Sequence, residues 1–352
     1  LRQQPQGRQR GAIRQRNEDQ QRRIASRINQ TFDAAAAGCR SGHRRINRGG
    51  NQAQLTRYPL RIFCAAAGQG RQPTFLMPGC TQPFGELRVH TSISDGSYTT
   101  SETLDMARQQ GITHIGIVNH DTISGLKAAV DLGKRVGIKV IPGIEISSYD
   151  FINKRKVHIL GYNFDFEGKN IRRICDPILK RRDENSRTQM KILIENGYKI
   201  DTSYIEEKCS ESEVLYKQHI MSAMIKAGYT DNIYSDLYRD LFKNGGICDQ
   251  DIEYMDVIES VKAIKADGGI SILAHPGQLN SYDIIPVLLE NGLDGIEVNH
   301  HSHSVEDMKK IMRICEMHNL IMTGGTDFHG EYGETFMIMG NIESPKEFLS
   351  LF

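Results

Sequence analysis

Glu86-Leu87-Arg88-Val89-His90-Thr91-Ser92-Ile93-Ser94-Asp95-Gly96 is the stretch on which the reading of the fold turns. Leu87 to His90 reads as a short strand, and Ser94-Asp95-Gly96 closes the turn that follows. A histidine on the last strand residue and a carboxylate five residues later put two metal-competent groups at one strand end. Later stretches repeat the design. Strand 113–118 runs into Asn119-His120-Asp121-Thr122. Strand 138–144 ends in Gly143-Ile144-Glu145, and strand 156–162 carries Val157-His158-Ile159-Leu160. Strand 270–274 ends in Ala274-His275-Pro276. Strand 294–298 leads to Asn299-His300-His301-Ser302-His303, and strand 320–324 to Gly325-Thr326-Asp327-Phe328-His329.

Helical periodicity fills the intervals, at 100–110, 123–136, 255–267, 281–291 and 304–318. Strands that alternate with helices imply a mainly parallel sheet. The expected fold class is α/β, a (β/α) barrel, in which chemistry gathers at the C-terminal ends of the strands. Residues 166–252 differ. They show helical periodicity at 170–196, 203–208, 217–227 and 233–243 and few strand signals. The expected organisation is therefore a catalytic barrel from 85–165 and 253–352, with a helical insertion at 166–252 that caps the substrate.

Residues 1–84 have another texture. They hold 15 Arg, no Lys and three acidic residues, whereas residues 85–352 hold 29 basic and 40 acidic ones. Such a composition buries too little apolar surface to offset chain entropy. It reads as a disordered, non-native leader, the alternative being a basic arm for nucleic acid. The seven cysteines are scattered with no CxxC pair, which argues for reduced thiols in the cytoplasm. No apolar run approaches the ~18–20 residues that a membrane span needs. Nothing points to an obligate protein partner.

A single histidine at a strand end is usually a hydrogen-bonded or surface residue. His114 and His318 read that way, mid-element or at a helix end. A series of strand ends bearing His, Asp or Glu is a different matter, and it points to a metal site. The candidate ligands are His90, Asp95, His120, Glu145, His158, His275, Asp327 and His329. Imidazole and carboxylate without thiolate suit Mn²⁺, Zn²⁺ or Fe²⁺ better than Ca²⁺. Eight candidates exceed one coordination shell, so two or three divalent ions are expected, with Glu145 bridging. Clustered ions of this kind serve phosphoester hydrolysis, and amide or lactone hydrolysis could use similar hardware.

Together these motifs resemble the PHP domain (polymerase and histidinol phosphatase), over about residues 86–330 and in order. The resemblance is greatest to stand-alone phosphoesterases of nucleoside monophosphates, 3',5'-bisphosphates or short oligonucleotides. It implies a distorted seven-stranded (β/α) barrel with a trinuclear centre, usually Mn²⁺. Asp95, His120 and His329 would serve one ion, His90, Glu145 and Asp327 a second, and Glu145, His158 and a further histidine the third. It implies attack by a hydroxide held between two ions, with Glu145 and Asp327 as the catalytic carboxylates. Lys217 falls where the family has an arginine for the substrate phosphate, and His303 where it often has a histidine. Both are expected to bind substrate.

One position departs from the pattern. The family opens with Asp-x-His-x-His, and here Glu86 and Arg88 stand for the Asp and the first His. Arginine has no lone pair with which to ligate a metal. Arg88 is therefore expected to bind substrate phosphate, or to mark a weakened centre with fewer ions. The alternatives to a phosphoesterase are a binding module of the same fold with weakened catalysis and a small-molecule amidohydrolase.

Overall fold

The computed structural model describes residues 84–212, 214–333 and 337–352. The leader expected over 1–84 lies outside these residues apart from Phe84. Seven strands form one nearly closed sheet: β1 (Gly85–Val89), β2 (His114–Ile117), β3 (Lys139–Asp150), β4 (Arg155–Tyr162), β6 (Ile270–Leu273), β7 (Gly295–Asn299) and β8 (Ile321–Gly324), in that spatial order. The two-residue β5 (Met255–Asp256) pairs with β3 off this path. The barrel closes between the first and last strands. Phe328 N–H donates to the Arg88 carbonyl at 3.1 Å, and His90 N–H donates to the Phe328 carbonyl at 2.9 Å.

Four of the six pairings along the path are parallel, but β4 runs antiparallel to both β3 and β6. The expected strand 138–144 is too short. β3 continues to Asp150, and only residues 151–154 separate it from β4. So short a connection makes a hairpin and cannot return a parallel strand. Asp150 shapes the turn by accepting from the N–H of Ile152 at 2.9 Å and of Asn153 at 3.0 Å.

The helices that face the barrel are α1 (Thr100–Gln109), α2 (Leu126–Val136), α7 (Val257–Ala266), α8 (Ile285–Glu290) and α9 (Val305–His318). The helix expected at 123–136 starts late, at Leu126, behind Gly125. The one expected at 281–291 opens with a 3₁₀ turn at Tyr282–Ile284. Thr99 and Glu102 form a capping box on α1, as their spacing suggests. The main apolar core lies between sheet and helices, built from Leu104, Ile115, Ile144, Ile159, Ile264 and Ile296 among others. A smaller cluster of Leu87, Val118, Ile141, Leu160, Tyr162 and Ile272 includes Phe348 and Leu349 of the last helix, α10 (Lys346–Leu349).

Residues between β4 and β5 form α3 (Lys169–Glu195), α4 (Thr202–Cys209), α5 (Lys217–Lys226) and α6 (Asp236–Phe242). α3 begins against the main core through Ile171, Ile174 and Cys175. Its last turns enter a separate cluster with Ile205, Leu215, Met221, Met224 and Phe242. No helix among the described residues is long and apolar enough to cross a membrane.

Glu86 ties the barrel seam together. It is fully buried and accepts from Thr326 N–H at 2.9 Å, Thr326 Oγ1 at 2.8 Å, Gly340 N–H at 3.0 Å and Arg88 N–H at 3.2 Å. Burial pushes its carboxyl up to about 7 against these donors. Replacing Glu86 by Ala leaves buried N–H groups without acceptors, at about 1–3 kcal/mol each. The expected result is a loss of about 3 kcal/mol or more in urea denaturation with a folded but less stable chain. A loss below about 1 kcal/mol would show that the seam does not depend on it.

Candidate metal centre

The strand ends converge on one mouth of the barrel. After β1, the turn 91–96 is held by Asn119, whose Oδ1 accepts from Thr91 N–H at 2.8 Å and Ser94 Oγ at 3.0 Å. Gly96 packs on the His90 carbonyl, where a Cβ would lie 2.5 Å from the oxygen. This tight turn swings Asp95 back beside His90, with 3.6 Å between His90 Nδ1 and Asp95 Oδ1. His120 follows β2 and is bridged to Glu145 through the backbone. Three residues at the ligand loops, Asp121, His275 and Asp327, adopt left-handed backbone conformations with φ of 58°, 26° and 56°. Such conformations are uncommon outside glycine and concentrate at functional sites.

Glu145 lies in the middle of β3, and its fully buried carboxylate is the hub. Its Oε1 is 2.6 Å from His158 Nδ1 and 3.5 Å from His275 Nε2. Its Oε2 is 3.1 Å from His90 Nε2, which is also 3.2 Å from Asp327 Oδ1. His329 stacks on His90 with ring centroids 4.0 Å apart and places Nε2 3.5 Å from Asp95 Oδ2.

Four groups of ligand atoms draw together: His90, Asp95, His120 and His329; His120, Glu145 and His158; His90, Glu145 and Asp327; and His300, His301 and Asp327. Within the first three, both ring nitrogens of His90 and Glu145 Oε2 are buried with no well-directed hydrogen bond. Buried polar atoms normally have partners. Orphans that converge on one another are what a cation would satisfy, so the residues present fit divalent metals. Of the eight expected ligands, His275 alone is in none of these groups.

The charge state agrees. Burial raises the carboxyls of Asp95, Glu145 and Asp327, but neighbouring cations and histidines outweigh it and hold all three well below the usual carboxylate range. Burial pushes His120 down to about 4, and it pushes His275 well below the ordinary imidazole value with help from Arg88. His90 goes the other way. Burial opposes its charge, yet Asp327 and Glu145 lift it to about 10.

The expected substrate contacts are placed differently. Lys217, at the start of α5, directs its Nζ at the Phe242 ring, 5.8 Å from the centroid, and burial brings it down to about 8. Its neighbour Gln218 is the residue that reaches the ligand cluster, donating from Nε2 to Asp95 Oδ2 at 3.1 Å. Both nitrogens of His303 are engaged within the protein, Nδ1 with the Val298 carbonyl at 2.8 Å and Nε2 as acceptor from Gly277 N–H at 3.2 Å. Arg88 is buried, and its guanidinium meets Glu145, Glu297 and Asp327 at 2.5, 2.7 and 2.9 Å.

Sequence reasoning missed Glu297, Gln218, Arg182 and His300. Arg182, on α3, donates to Asp121 Oδ2 at 2.5 Å and to Ser147 Oγ at 3.0 Å. Tyr216 O–H donates to the His120 carbonyl at 3.0 Å. The helices between β4 and β5 thus brace the His120 loop. Of the four missed residues, only His300 left a readable signal, its place just after a strand.

A cluster of imidazoles and carboxylates at the mouth of a seven-stranded barrel is the arrangement of a metal-dependent hydrolase. Comparison with known proteins narrows this. The PHP domain profile matches residues 86–244. A phosphoribosyl 1,2-cyclic phosphate 1,2-diphosphodiesterase from Eggerthella lenta is 45% identical over 248 residues, covering 70% of this chain and 95% of that protein. A 3',5'-nucleoside bisphosphate phosphatase from Chromobacterium violaceum is 27% identical, with 70% and 88% covered. Among solved structures, one from Bifidobacterium adolescentis described as a metal-dependent phosphoesterase superposes with a TM-score of 0.71 at 23% identity, covering 77% of this chain and 96% of that one. The chain belongs to the PHP-domain family. It is a metal-dependent hydrolase of phosphoester bonds.

The raised His90 has a measurable consequence. At pH 7.5 the metal-free chain holds His90 protonated, and an imidazole must be neutral to ligate. Adding Mn²⁺ to stripped protein should release at least one proton per chain. Calorimetry in buffers of different ionisation enthalpy measures this, and binding without proton release would remove His90 from the ligand set.

Proposed function

We propose that the substrate is a small phosphorylated ribose derivative, and that the first to test is a 1,2-cyclic phosphate of phosphoribose. The observation that supports this is the 45% identity to the E. lenta diphosphodiesterase across nearly its whole length. The bisphosphate phosphatase, at 27%, stands as the second substrate type, and short oligonucleotides as the third, from a 5'-3' exoribonuclease of Haemophilus influenzae at 25% identity.

Divalent ions at the converging ligand groups, Mn²⁺ in our reading because the donors are imidazole and carboxylate without thiolate, would lower the pKa of an attacking water and neutralise phosphate charge. The chain's own residues supply position and protons. Glu145 and Asp327, both kept ionised, fix His90 between them. Asp95 is steadied by Gln218, which carries the insertion's influence into the mouth. His300 Nε2 is buried, without a hydrogen bond, and 3.7 Å from Asp327 Oδ2. It is our candidate to pass a proton to the leaving oxygen. Lys217 and His303 are left out of this assignment because their polar atoms are directed elsewhere. The buried free thiols of Cys175, Cys209, Cys248 and Cys315 support a reducing compartment such as the cytoplasm.

One solved relative from C. violaceum, with a TM-score of 0.66 and 25% identity over 74% of this chain and 90% of that one, is described as an amidohydrolase with bound sulfate. It keeps amide substrates in the assay panel as the contrast. The Mn²⁺-loaded chain is expected to cleave the cyclic phosphate and to leave amides and carboxylic esters intact. Glu145→Gln and Asp327→Asn should each lower kcat/KM by about 10³-fold, the scale of losing a preorganised electrostatic group. A folded, metal-loaded chain that cleaves no phosphate ester would refute the proposal.

A further inference from the structure

Arg88, on β1, and His90, just beyond its end, both reach Glu145 and Asp327 and so meet in the barrel mouth. Arg88 is 1% exposed. Each of its three nitrogens meets a different carboxylate: Nη2 meets Glu145 Oε1 at 2.5 Å, Nη1 meets Glu297 Oε2 at 2.7 Å, and Nε meets Asp327 Oδ1 at 2.9 Å. Two of these carboxylates are metal-competent, belonging to the His90, Glu145 and Asp327 group. The third, Glu297, accepts only from Arg88 and from the N–H of His275 among its described hydrogen bonds.

The two oxygens of Glu145 therefore have different surroundings. Oε2 faces His90 and has no hydrogen bond, so it is open to an ion. Oε1 is held by the guanidinium and lies within 2.6 Å of His158 Nδ1 and 3.5 Å of His275 Nε2. The place that Glu145 Oε1, His158 and His275 would give an ion already has a cation on its shared oxygen.

Charge points the same way. Asp95, Glu145 and Glu297 are buried and the Asp327 side chain is 15% exposed, so four carboxylates, four negative charges, meet at the mouth. Arg88 with two divalent ions brings five positive ones, a surplus of one that suits an anionic substrate. A third ion raises the surplus to three, and uncompensated buried charge is costly.

We infer that the Arg88 guanidinium, counter-charged by Glu297, takes the place of one divalent ion, so that this centre holds two. The ions would sit at His90, Glu145 Oε2 and Asp327, and at Asp95, His120 and His329. The place beside Glu145 Oε1, His158 and His275 is the one filled by the guanidinium. Arg88 is a positioning residue, since its nitrogens are spent on carboxylates and none is left for substrate at the surface of the mouth. This rests on the metal-dependent reading of the site but not on the choice of substrate.

The test counts metal. The full chain is stripped with a chelator, equilibrated with excess Mn²⁺ and measured by elemental analysis. The expected result is two ions per chain in the unaltered protein, three in Arg88→His, which removes the charge and adds a ligand, and two in Arg88→Lys, which keeps the charge. Three ions in the unaltered protein, or two in a folded Arg88→His, would overturn the inference. Should Arg88→His fail to fold, an anomalous-scattering map of the Mn²⁺-soaked unaltered protein decides. A peak within bonding distance of Glu145 Oε1, His158 and His275 overturns the inference, and two peaks elsewhere support it. Two bound ions with no phosphoester cleavage would refute the proposed function and leave this inference standing. Fewer than two would overturn the inference and leave the proposed function to the cleavage assay.

Discussion

The structure depends on a group of like charges that cannot hold together unaided. Asp95, Glu145, Glu297 and Asp327 gather in the barrel mouth, the first three buried and Asp327 15% exposed. Without compensation the carboxylates would take up protons or separate. Arg88 touches three of the four, and the histidines of the strand ends surround the rest. The metal-free chain is thus already electrically bound into the geometry that metals need. The raised His90 is part of the same balance, a proton standing where an ion would go.

Much of this was legible in the sequence, because a metal centre at strand ends leaves a local signature. Each of His90, His120, Asp327 and His329 follows an apolar run by a residue or a few, and that pattern survives without knowing how the strands pair. Glu145 was singled out for a partly mistaken reason. It was placed at the end of a strand that in fact runs on to Asp150. The antiparallel setting of β4 was hidden because the turn at Asp150 does not interrupt the apolar alternation before it. Residues that act by long-range contact left no trace. Glu297 sits in an ordinary strand pattern, and its role exists only because Arg88, more than 200 positions away in the chain, points at it. Gln218 was passed over for the adjacent lysine, since charge is visible in a sequence and the direction of a side chain on a helix is not.

The helical segment between β4 and β5 is joined to the centre at several points. Arg182 reaches Asp121, Tyr216 reaches the His120 carbonyl, Gln218 reaches Asp95, and Glu211 pairs with Ser92 in the first ligand turn. These contacts all fall on the loops after β1 and β2. The other side of the mouth, at His275 and His300, has no described hydrogen bond from these helices. A substrate held between the two sides would meet polar groups from the insertion on one face and the β6 and β7 loops on the other.

The seam where Phe328 bonds to the backbone of Arg88 and His90 closes the sheet and spaces the ligands in a single act. Side chains from the two ends of the barrel strand order, His90 and Asp327, are thereby gauged against each other by backbone hydrogen bonds, which tolerate far less drift than a side-chain rotamer. An evolving lineage could then exchange the residues lining the mouth, even an imidazole for a guanidinium, without resetting the distances between those that remain. Such a frame separates the invention of new substrates from the upkeep of the centre that attacks them.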